Sequence, residues 1–183
     1  VVHEDGEVIK QVSQEIYSTG KVTDKSEIGT YWWNEFQKAF NSAYEDSFET
    51  QRKLEYESLK KTIEYFNSTA NAKELSDLIF AHWIKPPIFE ESKQFFEMCP
   101  VPIYVVSNID RDDVLKAIEY HGLKPNGIFT SEDAKSYKPR KELFQFALNS
   151  TGLSAEQVVH IGDSLSSDIK ASSLVNIPLG FNP

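Results

Sequence analysis

Cysteine is almost missing from this sequence. Cys99 stands alone, so no disulfide can form within the chain, and a reducing compartment is the natural setting. Positive charge is also short: 19 Lys and Arg face 28 Asp and Glu, for a net charge of −9. A nucleic-acid binder would show a basic stripe, and an anionic membrane attracts basic clusters, so neither partner is expected. Long apolar runs are missing too. None approaches the ~20 residues that cross a bilayer, and Val1 to Lys10 lacks the apolar core of a signal peptide. The expected location is cytoplasmic. No internal repeat or low-complexity segment is visible. A lone cysteine is usually a small buried hydrophobe, and Cys99 is given no catalytic part.

What is present is an ordinary globular balance, 40% hydrophobic and 26% charged over 183 residues. That length suits one core, or a core with a small second module. The chain changes character near Pro86-Pro87. Before it, Trp32, Phe36, Phe40, Tyr44 and Phe48 recur at every fourth residue. That spacing sets neighbours on one helix face, with drift along the helix. Leu59, Ile63 and Phe66 form a second stripe, and Leu75, Leu78, Ile79 and Trp83 a third. These stripes are read as helix-packing core. Gly20 and Gly29 are read as breaks, and Asn67 to Asn71 as a loop. A helical domain over residues 1–85 is expected, with Val8 to Ile16 its first helix.

After Pro87 short β-branched runs alternate with amphipathic stretches. Pro102 to Ser107, Gly127 to Thr130, Val158 to Ile161 and Ile177 to Phe181 read as strands. Asp110 can cap a helix ending at Gly122. Pro139 to Asn149 reads as a helix with Pro at its first position, and Asp168 to Leu174 as a short one. Alternating strands and helices predict a parallel α/β sheet over residues 86–183.

In such sheets ligands bind outside the carboxyl ends of the strands. Three sets of residues fall there. Ser107-Asn108 offers a hydroxyl, an amide and free backbone N–H groups that suit a phosphate oxygen, although Ser-Asn is also a common strand exit. Lys138, before Pro139, can aim an ammonium at a phosphate or a carboxylate, although a solvated lysine has the same sequence. Gly162-Asp163-Ser164-Leu165-Ser166-Ser167-Asp168 places two carboxylates across a strand-to-helix turn. Carboxylates so placed suit Mg²⁺, although either Asp could cap the helix.

The ordered set resembles the haloacid dehalogenase superfamily. Val105-Val106-Ser107-Asn108 is similar to its second motif, Lys138-Pro139 to its third, and Gly162-Asp163 with Asp168 to its fourth. Thr130 to Asp133, Phe144 and His160-Ile161 agree with the surrounding text. The resemblance implies a Rossmann-like three-layer parallel sheet core with an α-helical cap domain. It also implies a Mg²⁺-dependent phosphatase of small phosphorylated metabolites that forms an aspartyl-phosphate. Ser107, Asn108 and Lys138 would bind phosphate, with Lys138 also bridging to the nucleophile. Asp163 would ligate the metal directly, and Asp168 directly, through water or through the lysine.

The family's first motif, Asp-x-Asp-x-Thr after an apolar strand, has no match here. His3-Glu4-Asp5-Gly6-Glu7 is nearest, with His at the nucleophile's place and two residues before it. The expectation is a nucleophile outside the chain as given, with an Asp-x-Asp-like motif within ~20 residues upstream. The end at Pro183 also looks early for the family. A 2-haloacid dehalogenase and a catalytically inactive relative are the alternatives. The Asp163/Asp168 pair favours the phosphatase, because a dehalogenase has no need of Mg²⁺. Of the other histidines, His82 has no partner at metal-ligand spacing.

Overall fold

The computed structural model describes residues 6–162 and 164–181; Asp163 and the nearest match to the first motif, centred on His3 to Asp5, lie outside them. The first half is helical: α1 (Gly6–Thr19), α2 (Ser26–Ser42), α3 (Gln51–Tyr65) and α4 (Ala72–Trp83). Its core takes Val8, Val12 and Ile16 from α1, Ile28 and Trp32 from α2, Leu59 and Ile63 from α3, and Leu75, Ile79, Phe80 and Trp83 from α4. Each set follows the three-to-four-residue recurrence that lines one helix face. Trp32 buries its indole here and donates its N–H to Ser58 Oγ at 3.2 Å, which spares a buried polar group from going unpaired.

Several expectations shift. The every-fourth aromatic row does not stay on one helix: α2 stops at Ser42, and Tyr44 and Phe48 flank a 3₁₀ turn at Glu45–Ser47. Leu78 is exposed, whereas its neighbour Ile79 points inward. Gly29 lies inside α2 rather than breaking it. Gly20 does follow the end of α1, where a Cβ would stand 2.7 Å from the Ile16 carbonyl oxygen, so only glycine fits that close approach. Asn71 caps α4, its side chain accepting from the Lys73 and Glu74 amides.

The second half opens with α5 (Glu90–Met98), a helix not anticipated from the sequence, none of whose residues is buried. Then come β1 (Tyr104–Ser107), α6 (Arg111–His121), β2 (Gly127–Thr130), α7 (Ser131–Ala134), α8 (Glu142–Thr151) and β3 (His160–Gly162). A five-residue π turn, Leu165–Ile169, runs into α9 (Lys170–Ser173), and β4 (Leu179–Phe181) closes the set. β1 pairs in parallel with β2, and β3 in parallel with β4. The expected parallel pairing is therefore present. Among the described residues, however, the strands form two separate pairs and not one continuous sheet. Their common core is small: Phe144, Ala171 and Ile177, with Val106, Leu148 and Val158 packed against them. β3 leaves Ile161 half exposed, and Val159 just before it is exposed as well.

The two halves meet along the α2–α3 connection. Asp110 was expected to cap α6, but its carboxylate turns to the other half and accepts the Gln51 and Arg52 amides at 2.8 and 2.9 Å, capping α3. Burial raises the Asp110 pKa, and those two N–H bonds oppose the rise. One turn further on, the fully buried Asp113 takes a two-pronged bond from Arg52, both contacts at 2.6 Å. Removing the arginine would strand a buried charge. After discounting for the solvent that reaches Arg52, Arg52→Ala is expected to lower the unfolding free energy by about 2 kcal/mol. Arg111→Ala, which breaks a more exposed pair with Asp133, is expected to cost below about 1 kcal/mol. Urea denaturation of the two variants checks the ranking.

Candidate active site

Ser107 ends β1, where the backbone leaves the sheet and a side chain can face a ligand. Its Oγ accepts the Ile109 amide at 3.1 Å, and its hydroxyl hydrogen remains to donate. Asn108 does something the sequence did not announce. Its side-chain carbonyl accepts the Lys138 amide at 2.7 Å, and its NH₂ donates to the Lys138 carbonyl at 3.1 Å. Both ends of the amide thus clamp the lysine turn. The expected phosphate role of Asn108 is thus joined by a positioning role: one N–H of its amide clamps the turn, and the amide's second N–H is a further donor beside those of Ser107 and Lys138. Ser131 Oγ donates to the Asn108 carbonyl at 2.9 Å and fixes the turn from behind.

Lys138 sits in a turn closed by the Arg140 amide on the Tyr137 carbonyl, and its bond to Pro139 is cis. α8 starts only at Glu142, so Pro139 is a turn residue and not the first residue of a helix as expected. The Lys138 side chain is buried, and its ammonium donates to the Val106 carbonyl at 3.2 Å and to Asp168 Oδ1 at 2.7 Å. An ammonium has three N–H donors, so among the described residues one is left for an incoming oxyanion.

Asp168 lies in the π turn after β3 and is 5% exposed. Its Oδ1 also takes a hydrogen bond from His160 Nε2 at 3.0 Å, and its Oδ2 accepts the Ser164 amide at 3.2 Å. Burial pushes the Asp168 carboxyl up, but the His160 bond and the Lys138 charge outweigh it and hold the group well below the usual carboxylate range. A carboxyl with a depressed folded pKa stabilises fully above its unfolded value and loses that contribution as pH falls below it. The stability difference between the wild type and Asp168→Asn is therefore expected to stay constant from about pH 7 to 5 and to shrink below about pH 4. Urea unfolding across that range tests it.

From sequence His160 is a strand residue that agrees with the family's pattern before Gly162-Asp163, with no role at the site expected of it. The signal that could have found it is the strand's two-residue period. It puts His160 and Gly162 on one face, and Asp168 lies over Gly162. Asp163, the other expected metal ligand, is outside the described residues. Among the described residues no group of three or more His, Cys, Asp or Glu stands ready to hold a metal. Asp168 itself suits a hard cation: it is kept ionised, and part of Oδ2 is unclaimed. Chemically, the strand ends carry a hydroxyl at Ser107, and an ammonium at Lys138 that is bonded to the Val106 carbonyl and to a carboxylate.

Parallel strand pairs with polar groups gathered beyond their carboxyl ends, beside a helical half, define an α/β protein with a ligand site at the strand ends. The chain belongs to the haloacid dehalogenase-like hydrolase family, whose model matches residues 5–180. It is 37% identical over 78 residues to the HAD-hydrolase YfnB of Bacillus subtilis (strain 168); that stretch is 41% of this chain and 33% of the curated relative, so the match spans about a third of it. The crystal structure of YfnB, described as bound to magnesium and as revealing interdomain movement, aligns over 97% of this chain and 82% of that one, with TM-score 0.73 and 18% identity. The L-2-haloacid dehalogenase of Xanthobacter autotrophicus aligns over 98% and 72%, with TM-score 0.76 and 14% identity. At such identities the structures establish the fold alone. Among the described residues no helix is long and apolar enough to cross a membrane.

Proposed function

We propose that this hydrolase is a Mg²⁺-dependent phosphatase acting on a small phosphorylated metabolite. The observation that carries it is the Lys138 ammonium, held between Asp168 and the carbonyl of Val106, the residue before Ser107, with a donor to spare among the described residues. In this reading residues 1–85 are a cap domain over a core of residues 86–183. Ser107 and Lys138 hold two phosphoryl oxygens and neutralise charge that grows in the transition state. Asp168 fixes the ammonium so that this stabilisation needs no rearrangement. Asp163 and Asp168 would hold the metal, which when bound supplies further neutralisation of the transferring group. In this reading an aspartate carboxylate attacks phosphorus as the bond to the substrate oxygen breaks and the alcohol leaves with a proton, and water then cleaves the aspartyl-phosphate to inorganic phosphate and the free carboxylate. Among the described residues, Asp168 is the carboxylate bonded to Lys138, and three donors engage it. It serves the lysine rather than attacking.

The test is hydrolysis of p-nitrophenyl phosphate by the full-length protein. Turnover is expected with Mg²⁺ and should be abolished by EDTA. Turnover that survives EDTA unchanged would sink the magnesium mechanism. The second reading is a 2-haloacid dehalogenase. Fold favours it as much as the first, since L-2-haloacid dehalogenases are among the structural matches. The reason it comes second is Asp163, a second carboxylate near Asp168 in sequence that a metal-free reaction does not call for, whereas Asp168 has a use in holding Lys138 in either reaction. Chloride release from a 2-chloroacid without Mg²⁺ would reverse the order.

A further inference from the structure

Tyr137 is fully buried although it precedes the site lysine in a turn. Its ring enters the helical half, tilted against Phe40 at 4.2 Å and stacked on Phe48 at 5.2 Å between centroids, in a cluster with Phe36 and Leu54. Its hydroxyl donates to the Glu49 carbonyl at 2.7 Å. Two residues beyond Asn108, Asp110 grips the next two amides of the same segment, those of Gln51 and Arg52. The two turns that carry Ser107 and Lys138 are thus each tied to Glu49–Arg52, and they are tied to each other by the Asn108 clamp.

We infer that Tyr137 and Asp110 are positioning residues through which the Glu49–Arg52 segment of the helical half sets Lys138 and Ser107 in register. Neither side chain touches the oxyanion position. Each acts through the backbone it holds. A merely structural bond would change stability and leave turnover alone. A positioning bond changes the rate at nearly constant substrate affinity, because it fixes groups that bind more strongly in the transition state. The inference rests on the phosphatase reading for its kinetic readout, but not for its structural one.

The experiment compares full-length wild type, Tyr137→Phe, Asp110→Asn and Ser58→Ala. Tyr137→Phe keeps the ring and removes only the hydroxyl bond. Asp110→Asn keeps the shape but offers one carbonyl oxygen to two amides. Ser58→Ala is the structural control, losing a buried bond inside the helical half. With p-nitrophenyl phosphate and Mg²⁺, the first two variants are expected to lose ~5-fold in kcat each, the size of one lost hydrogen bond, with KM within about twofold. Hydrogen exchange of the Lys138 amide, which is bonded to Asn108, should speed up in both, while exchange at Phe146 inside α8 stays as it was. Ser58→Ala should lower the melting temperature and move neither kcat nor Lys138 exchange. If Lys138 exchange is unchanged in Tyr137→Phe and Asp110→Asn, or Ser58→Ala moves it equally, the inference fails. If the wild type hydrolyses no phosphate ester, the phosphatase reading fails, and the exchange comparison still decides whether the coupling exists.

Discussion

Gly162→Ala is expected to cost the protein both stability and any turnover at this site. A Cβ at Gly162 would lie 2.5 Å from Asp168 Cγ and 2.6 Å from its Cβ and Oδ2. Real Cβ contacts do not come that close, so one partner has to move. Asp168 has nowhere to go. Lys138 and His160 hold Oδ1, Ser164 holds Oδ2, and the residue is buried. The strand cannot easily retreat either, since His160, Ile161 and Gly162 are paired with β4. Overpacking of this kind costs about 1–3 kcal/mol. It also pushes Asp168 off the lysine, so activity should fall at least ~100-fold, the scale of losing a preorganised charged donor. Gly29→Ala is the contrasting variant. Nothing lies within 4 Å of a Cβ there, the residue is inside α2, and a gain of up to about 1 kcal/mol is expected. Urea denaturation of both, with p-nitrophenyl phosphate turnover, checks the pair. A Gly162→Ala protein with wild-type stability and turnover would show that Asp168 is not packed on β3 in solution.

That glycine also marks how far the sequence could be read. The strand that ends at Gly162 and the carboxylate of Asp168 beyond its turn were legible because strand and turn each leave a local signature. So were Lys138 before Pro139, Ser107 at the end of β1 and the helix stripes of Val12, Ile16, Leu59 and Ile63, since spacing alone sets which side chains share a face. What was not legible is contact across long separations. Asn108 and Lys138 are 30 residues apart, Asp110 and Gln51 59, and Tyr137 and Glu49 88. No local pattern tells an amide that binds phosphate from one that clamps a distant turn. The same limit explains Asp110, which has the look of a cap for the helix that follows it and instead caps α3. Helix α5 was missed because its apolar residues, Phe95, Phe96 and Met98, are confined to its last turns and leave no stripe along its whole length. The continuous sheet was expected from alternation of elements, which records that strands are parallel but not which edges meet.

Breaking the Lys138–Asp168 pair from either side is expected to be costly, and breaking it from both sides less so than the sum. Both side chains are buried, at 8% and 5% exposure for the residues. Lys138→Met leaves Asp168 ionised with only His160 and the Ser164 amide as donors. Asp168→Asn leaves the ammonium, among the described residues, with the Val106 carbonyl and a neutral amide oxygen in place of the carboxylate. An uncompensated buried charge costs about 3 kcal/mol, so each single variant should lose that order of stability, Asp168→Asn somewhat less because an amide oxygen can still accept. The double variant Lys138→Met/Asp168→Asn leaves no charge stranded, and its loss should fall short of the sum of the two by about 2 kcal/mol. Turnover behaves differently. Lys138→Met removes the group that meets the oxyanion, so the double variant should be as inactive as Lys138→Met alone, even where its stability is restored. Recovery of stability without activity is the signature of a pair that exists to hold an ammonium in place. Additive stability losses would mean that the two charges do not share one buried site, and with that the geometry on which the phosphatase reading rests would be gone.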